Sequence, residues 1–210
     1  MSSVMNTLSY ACSCRSVRGT LHDAAPKNGT RVTCYCRDCQ AYEAFLGRTD
    51  DVLNDKGGSD IYQTVPHRFT LETGHEHLAA IRVTDGRLLR WYTRCCQSPL
   101  GSTPDTPDLP IMGLLTKPFL QQDADAAEKA FGKSKGALFP KEAWSPPLED
   151  NASLPALIVA ALARAFGTRL KAKGKEHPFF TADKTPRVEP RLLSPEERAE
   201  IDARLDARRA

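Results

Sequence analysis

The chain has 210 residues, 40% of them hydrophobic and 26% charged, the proportions of an ordinary folded protein. A formal net charge of +3 is too small to imply a nucleic-acid partner by itself. The N-terminal segment lacks the apolar core of a leader, and the longest apolar stretch, Leu154 to Ala163, contains Pro155 and is too short for a bilayer, so a cytosolic protein with no membrane partner is expected.

In chain order, residues 1–15 are short and polar and carry the pair Cys12 and Cys14. Val17 to Leu21 has strand character. A second strand starts at Gly29 and delivers Cys34 at its end. From Arg37 to Leu46, Ala41, Ala44 and Phe45 suit a short helix closed by Gly47. Residues 50–58 read as a loop. Strands follow at Ile61–Val65, Arg68–Thr73 and His77–Thr84, and the Asp85-Gly86 turn sends the chain back through Leu88–Thr93. That hairpin leads straight into Cys95-Cys96. A proline-rich loop separates it from a last apolar strand, Leu109–Thr116.

The remainder reads as helices and loops. Ala124 to Phe131 is a short helix. Leu154, Leu157, Ile158, Ala161, Leu162, Ala165, Phe166 and Leu170 form a stripe at helical spacing, expected to bury itself against the sheets. Ser194-Pro195-Glu196-Glu197 is a helix start, with a Ser cap, Pro in the first turn and Glu three residues on. The expected organisation is a mainly β domain over residues 1–116 and a helical extension over 117–210 packed on it, its last helix at about 194–209.

The seven cysteines fall into three clusters: Cys12-x-Cys14, Cys34-x-Cys36-x-x-Cys39 and Cys95-Cys96. An odd number excludes complete internal disulfide pairing, and these tight spacings make poor disulfide partners. Metal ligation is the favoured reading, with zinc or another soft-ligand metal as occupant; redox thiols and inert buried cysteines are the competing ones. Structural zinc takes four ligands, whereas catalytic zinc keeps one position open. Seven thiolates divide as four plus three. The favoured division puts Cys12, Cys14, Cys95 and Cys96 around a structural zinc. It leaves Cys34, Cys36 and Cys39 around a second zinc open to water or a substrate thiol. The alternative for that second group is another closed site completed by some other side chain. Two Zn²⁺ per chain are expected.

Tyr35 and Asp38 lie close to the proposed open position, where either could orient a ligand or move a proton. Arg37, Arg48, Arg68 and Arg94 could meet the carboxylates of a substrate, Arg37 and Arg94 best by position. His75-Glu76-His77 could bind metal but reads as exposed turn, and His67 as a loop residue. Arg164, Arg169, Lys171, Lys173 and Lys175 form a basic run that suits a solvated helix end. His177-Pro178-Phe179-Phe180 reads as core packing.

The order C-x-C, C-x-C-x-x-C, then Arg94-Cys95-Cys96-Gln97-Ser98-Pro99-Leu100 resembles the glutathione-dependent formaldehyde-activating enzyme family, of the centromere protein V-type superfamily. The resemblance covers about residues 9–116. It implies a β-tent of small antiparallel sheets and a carbon–sulfur lyase that joins formaldehyde to glutathione as S-hydroxymethylglutathione. It also implies one structural zinc, to which Cys12, Cys14 and Cys96 correspond, and one catalytic zinc, to which Cys34, Cys36 and Cys39 correspond. The family's last motif is usually C-x-x-C-G-S-P-L. Here Thr93 stands at its first cysteine, so Cys95 would have to serve through a rearranged turn. Tyr35 stands where His is common, and Gln97 where Gly is common. The alternative function is a non-catalytic, zinc-stabilised module that binds nucleic acid or protein.

Overall fold

A computed structural model describes residues 7–145, 151–168 and 174–209. The first strands are β1 (Leu8–Ala11), β2 (Arg18–Leu21) and β3 (Thr30–Cys34), followed by helix α1 (Arg37–Phe45) and the single turn α2 (Thr49–Val52). Then come β4 (Ser59–Thr64), β5 (Phe69–Thr73), β6 (Leu78–Arg82), β7 (Leu88–Thr93), β8 (Ser98–Pro104) and β9 (Met112–Leu115). The last part holds α3 (Lys117–Leu120), α4 (Ala124–Phe131), β10 (Ala137–Leu138), α5 (Leu154–Gly167), β11 (Arg191–Leu192) and α6 (Pro195–Asp206).

The fold is mainly β with a C-terminal helix, as the sequence leads one to expect. Strands β1, β2 and β5 form a three-stranded antiparallel sheet. The other eight form an open sheet in the order β10-β3-β4-β9-β8-β7-β6-β11. Its six inner strands are antiparallel, and the two-residue edge strands β10 and β11 join in parallel. The chain after residue 116 is thus not only helical. It adds a two-residue strand at each edge of the large sheet, which shortens the edge open to another chain.

The main core lies between the sheets, where Tyr10, Tyr62, Phe69, Trp91, Phe119 and Phe131 are fully buried. Phe179 stacks on Trp91 at 4.6 Å and 9°, so the His177–Phe180 segment packs into the core as expected. A second core lies where α1 and α6 meet the large sheet, with Tyr42, Ile81, Val83, Leu115, Ile201 and Leu205. The capping box at Ser194 is formed, with Ser194 Oγ accepting from the Glu197 N–H.

Besides the helical turn α2 at the head of the expected 50–58 loop, three segments differ from expectation. Leu8–Ala11 is a strand with Leu8, Tyr10 and Ala11 buried, although four residues are too few for a visible alternation. Ser98–Pro104 is a strand despite its two prolines. Pro104 ends it, and Pro99 adjoins an irregularity where the register slips between Trp91 and Tyr92, a place that needs no ladder N–H. The α5 stripe is the third. Only Ala161 and Ala165 of it are buried, while Leu154, Ile158 and Phe166 are exposed; Leu170 lies outside the described residues. Among the described residues no helix is long and apolar enough to cross a membrane.

Candidate metal centres

The structure brings the three cysteine clusters together as two groups. Cys12 follows β1 and Cys14 lies in the turn beyond it. Cys95 and Cys96 lie in the turn between β7 and β8. The sulfur–sulfur distances are 3.6 Å for Cys12–Cys14, 3.4 Å for Cys14–Cys95, 3.9 Å for Cys12–Cys95 and 3.8 Å for Cys95–Cys96. A disulfide would need about 2.0 Å. Four sulfurs at about 2.3 Å from a tetrahedral metal lie about 3.8 Å apart. The donor set therefore fits a closed four-thiolate metal site that ties β1 to the β7–β8 turn, 83 residues away along the chain.

Local bonds hold this group in place. The Val17 N–H donates to Cys12 Sγ at 3.3 Å, and the Ser13 N–H donates to Ser98 Oγ at 2.9 Å. Ser98 Oγ also lies 3.2 Å from Cys96 Sγ. Burial would raise the Cys96 thiol, but Ser98 and Thr93 outweigh it and bring it down to about 5. Thr93 cannot supply a thiolate. Its hydroxyl instead accepts the Ser98 N–H at 3.2 Å and shapes the turn, while Cys95 supplies the fourth sulfur. Gln97 has φ 53, in the left-handed region, so glycine suits this position on steric grounds alone.

Cys34, Cys36 and Cys39 form the second group. Strand β3 ends at Cys34. Cys36 is the N-cap of α1, its sulfur accepting the Cys39 N–H at 3.4 Å, and Cys39 follows one turn later. Sγ–Sγ distances are 3.4 Å for Cys34–Cys36 and 3.5 Å for Cys34–Cys39. Three sulfurs fit one face of a metal coordination sphere, and no other Cys, His, Asp or Glu among the described residues joins them. The Cys39 thiol is held well below its ordinary value, first by Cys34 and Cys36 and then by the Arg90 guanidinium. The helix N-terminus favours thiolate character as well.

A cavity of about 660 Å³ opens on this second group and not on the first. It lies against the face of the large sheet that carries Val32, Ile61, Gln63, Gly113, Ser102 and Arg90. These side chains share a face because the register aligns Gln63 with Gly113, Gly113 with Ser102 and Ser102 with Arg90 across four strands. Gly113 lowers the middle of that row. Leu138 of β10, with Phe139 and Glu142 beyond it, also lines the cavity.

Arg90 is the principal residue that sequence reasoning misses. It is fully buried, with Nη1 3.5 Å from Cys39 Sγ and 2.9 Å from Ser102 Oγ. A lone Arg inside the apolar run Leu88-Leu89-Arg90-Trp91 is the only sequence signal for it. Glu43 is also missed. It lies one turn beyond Cys39 on α1, fully buried, and neither carboxylate oxygen has a hydrogen-bond partner. Burial raises its pKa well above the usual carboxyl range, and Cys39 pushes the same way.

Other expected residues are spread more widely. Arg37 and Asp38 line the cavity but are tied to α6: Arg37 pairs with Asp202 at 3.0 Å and Asp206 at 2.9 Å, and Asp38 with Arg198 at 2.8 Å. Tyr35 points away from the sulfurs, packs with Ala137 and Ala143, and accepts a 3.1 Å hydrogen bond from Asn54. Arg48 donates to the Cys96 carbonyl at 2.5 Å, Arg94 to the Leu78 carbonyl at 3.0 Å, and Arg68 pairs with Asp23 at 3.4 Å. His75 and His77 lie on a single 3-10 turn and belong to neither cysteine group. His22, His67, His75 and His177 instead line a separate cavity of about 460 Å³, where burial brings His177 down to about 4. Of the basic run, Arg164 donates to Gln63 Oε1 at 3.1 Å, while Arg169, Lys171 and Lys173 lie outside the described residues.

The match of a family model to residues 1–189 decides the affiliation. The chain belongs to DUF6151, a family of unknown function. The DUF6151 match takes in all seven cysteines and runs through α5, and α6 lies beyond it. No curated protein matches the chain.

Proposed function

We propose that the protein is a zinc-dependent, carbon–sulfur lyase-like enzyme, with a structural zinc on Cys12, Cys14, Cys95 and Cys96 and a catalytic zinc on Cys34, Cys36 and Cys39. The observation that carries this reading is the asymmetry between the two groups. Four sulfurs close one, whereas three line the other beside a cavity of about 660 Å³. The resemblance to the glutathione-dependent formaldehyde-activating enzymes supports the same division. The free, unpaired thiols suit a reducing compartment such as the cytosol.

When bound, zinc supplies a thiophilic site at which a thiol loses its proton and stays nucleophilic. The chain's own residues do the rest. Cys34, Cys36 and Cys39 hold one face and leave the cavity side to the substrate. Arg90 offsets the excess negative charge of three thiolates. Gln63 is fixed by Arg164 through its oxygen, so its amide N–H groups are the donors left for an aldehyde oxygen. Asp38 and Glu142 are cavity-lining carboxylates that can carry the proton. In the reaction R–SH + R′CHO → R–S–CH(OH)R′, a carbon–sulfur bond forms and the thiol proton ends on the former carbonyl oxygen. The reverse reaction releases both partners. Formaldehyde is the aldehyde, and glutathione the thiol, that the resemblance suggests.

Metal analysis of the reduced protein should return about two zincs per chain. Cys36→Ser should abolish thiol-dependent aldehyde turnover with the fold intact, because Ser also caps α1. Cys12→Ser should instead cost folding. Equal collapse of both variants would make the second site structural. A second reading, a zinc-stabilised binding module, has the exposed Leu154, Ile158 and Val159 of α5 in its favour; thiol-dependent turnover that survives Ile158→Ser would set it aside.

A further inference from the structure

The cavity beside Cys34, Cys36 and Cys39 differs in character from a site for a charged peptide thiol. Its walls include Val32, Ile61, Leu88, Ile111, Leu138 and Phe139. Two of these keep large apolar surface in solvent at the rim, Leu88 at 48% exposure and Phe139 at 43%. Phe139 is also held at φ 54, a left-handed conformation that strains a bulky side chain. Strain of this kind persists where the surroundings impose it, and it clusters at ligand-binding positions.

The cations tell the same story. Among the described residues two line the cavity, Arg37 and Arg90. Arg37 is engaged by Asp202 and Asp206. Arg90 is buried against Cys39 and Ser102, where its charge answers the thiolates. The two carboxylates of the lining are engaged as well, Asp38 by Arg198 at 2.8 Å and Glu142 by the Arg37 backbone N–H at 2.7 Å, and neither attracts an anion. A ligand carboxylate entering here would lose its water and meet two lining cations that are already engaged, which is costly in an apolar setting. A hydrocarbon group would bury its surface against Ile61, Leu138 and Phe139 at about 25 cal/mol per Å².

The geometry points to a thiol on an uncharged, apolar carrier, such as an aryl or alkyl thiol, as the substrate class of this site in place of glutathione. This rests on the thiol-activating function proposed above.

The test uses the full chain with cobalt(II) in place of zinc, because thiol coordination changes the visible spectrum of a cobalt–thiolate centre without any turnover. Three probes are titrated: phenylmethanethiol, its 4-carboxy derivative and glutathione. Phenylmethanethiol should shift the spectrum at a concentration at least tenfold below the other two. Phe139→Ala, at an exposed rim position, should weaken phenylmethanethiol about fivefold or more and leave glutathione unchanged. Glutathione binding as tightly as phenylmethanethiol, or Phe139→Ala acting on both alike, would overturn the apolar-carrier inference and leave the thiol reaction standing. A cobalt-loaded protein that responds to none of the three would remove the thiol reading and this inference with it.

Discussion

Arg90 Nη1 lies 3.5 Å from Cys39 Sγ, and both side chains are buried. Ser102 Oγ is the other neighbour of Nη1, and Nε has no hydrogen-bond partner among the described residues. A buried guanidinium needs a counter-charge, and here the thiolates provide it. With a divalent metal bound there, three thiolates would carry a formal −1 that Arg90 would neutralise. Arg90→Gln should therefore weaken metal at the Cys34–Cys36–Cys39 site by about 10–100-fold, the range for a lost partner of a metal ligand. Competition with a chromophoric chelator reads each site. Loss from both sites in parallel would mean that Arg90 acts through the fold and not through Cys39.

Glu43 gives a prediction with a definite sign. Its folded-state pKa is raised by burial, so the native protein holds this proton more tightly than the unfolded chain does. The stability it contributes is complete below the unfolded value of about 4.3 and is lost as pH rises through the raised native value. Glu43→Gln removes this dependence. The variant should melt close to the parent at pH 5 and above it at pH 8, with metal loaded in both. A variant that melts below the parent at pH 8 would show that Glu43 is ionised and paired in the native state.

Gln97 tests the turn that carries Cys95 and Cys96. At φ 53 a non-glycine residue is strained by roughly 1–2 kcal/mol. Glycine relieves that strain but frees the unfolded chain, which costs about 0.4–1 kcal/mol. Gln97→Gly should stabilise the protein by about 0.5–1 kcal/mol in chemical denaturation. A loss of stability would mean that the bond from Gln97 Nε2 to the Arg94 carbonyl, long at 3.4 Å, outweighs the backbone strain.

Much of this arrangement is legible in the sequence where it depends on local patterns. The bounds of β7 and α4 and the Ser194 cap follow from alternation, periodicity and capping chemistry. The two cysteine groups follow from spacing and count, and the structure places the same seven sulfurs in the same two sets. What escapes is what the register across strands creates. Gln63, Gly113, Ser102 and Arg90 are scattered along the chain, yet the pairing of β4, β9, β8 and β7 puts them in one row beneath the cavity. Arg37 and Asp38 look free in the sequence because their partners, Asp202, Asp206 and Arg198, lie some 160 residues away on α6. Tyr35 looks adjacent to the metal, but strand alternation turns it to the far side from Cys34 and Cys36.

The α6 clamp can be turned into a change of preference. Asp202 bridges Arg37 and Arg198, with Arg37 at 3.0 Å and Arg198 Nε at 2.9 Å, while Asp206 takes the other arm of Arg37 at 2.9 Å. These pairs are partly exposed, so each contributes no more than about 1 kcal/mol to stability. Replacing both acids by Asn keeps their size and removes the negative charges that neutralise the guanidinium lining the cavity, while the Asp202 carbonyl still accepts from it at 3.1 Å. The Asp202→Asn, Asp206→Asn variant should stay folded, with a slightly lower melting temperature. Its affinity for 4-carboxyphenylmethanethiol relative to phenylmethanethiol should rise by about fivefold, the factor that about 1 kcal/mol corresponds to. The increase should vanish at high salt, since a partly exposed charge is screened. An unchanged ratio at low salt would mean that Arg37 does not reach the ligand.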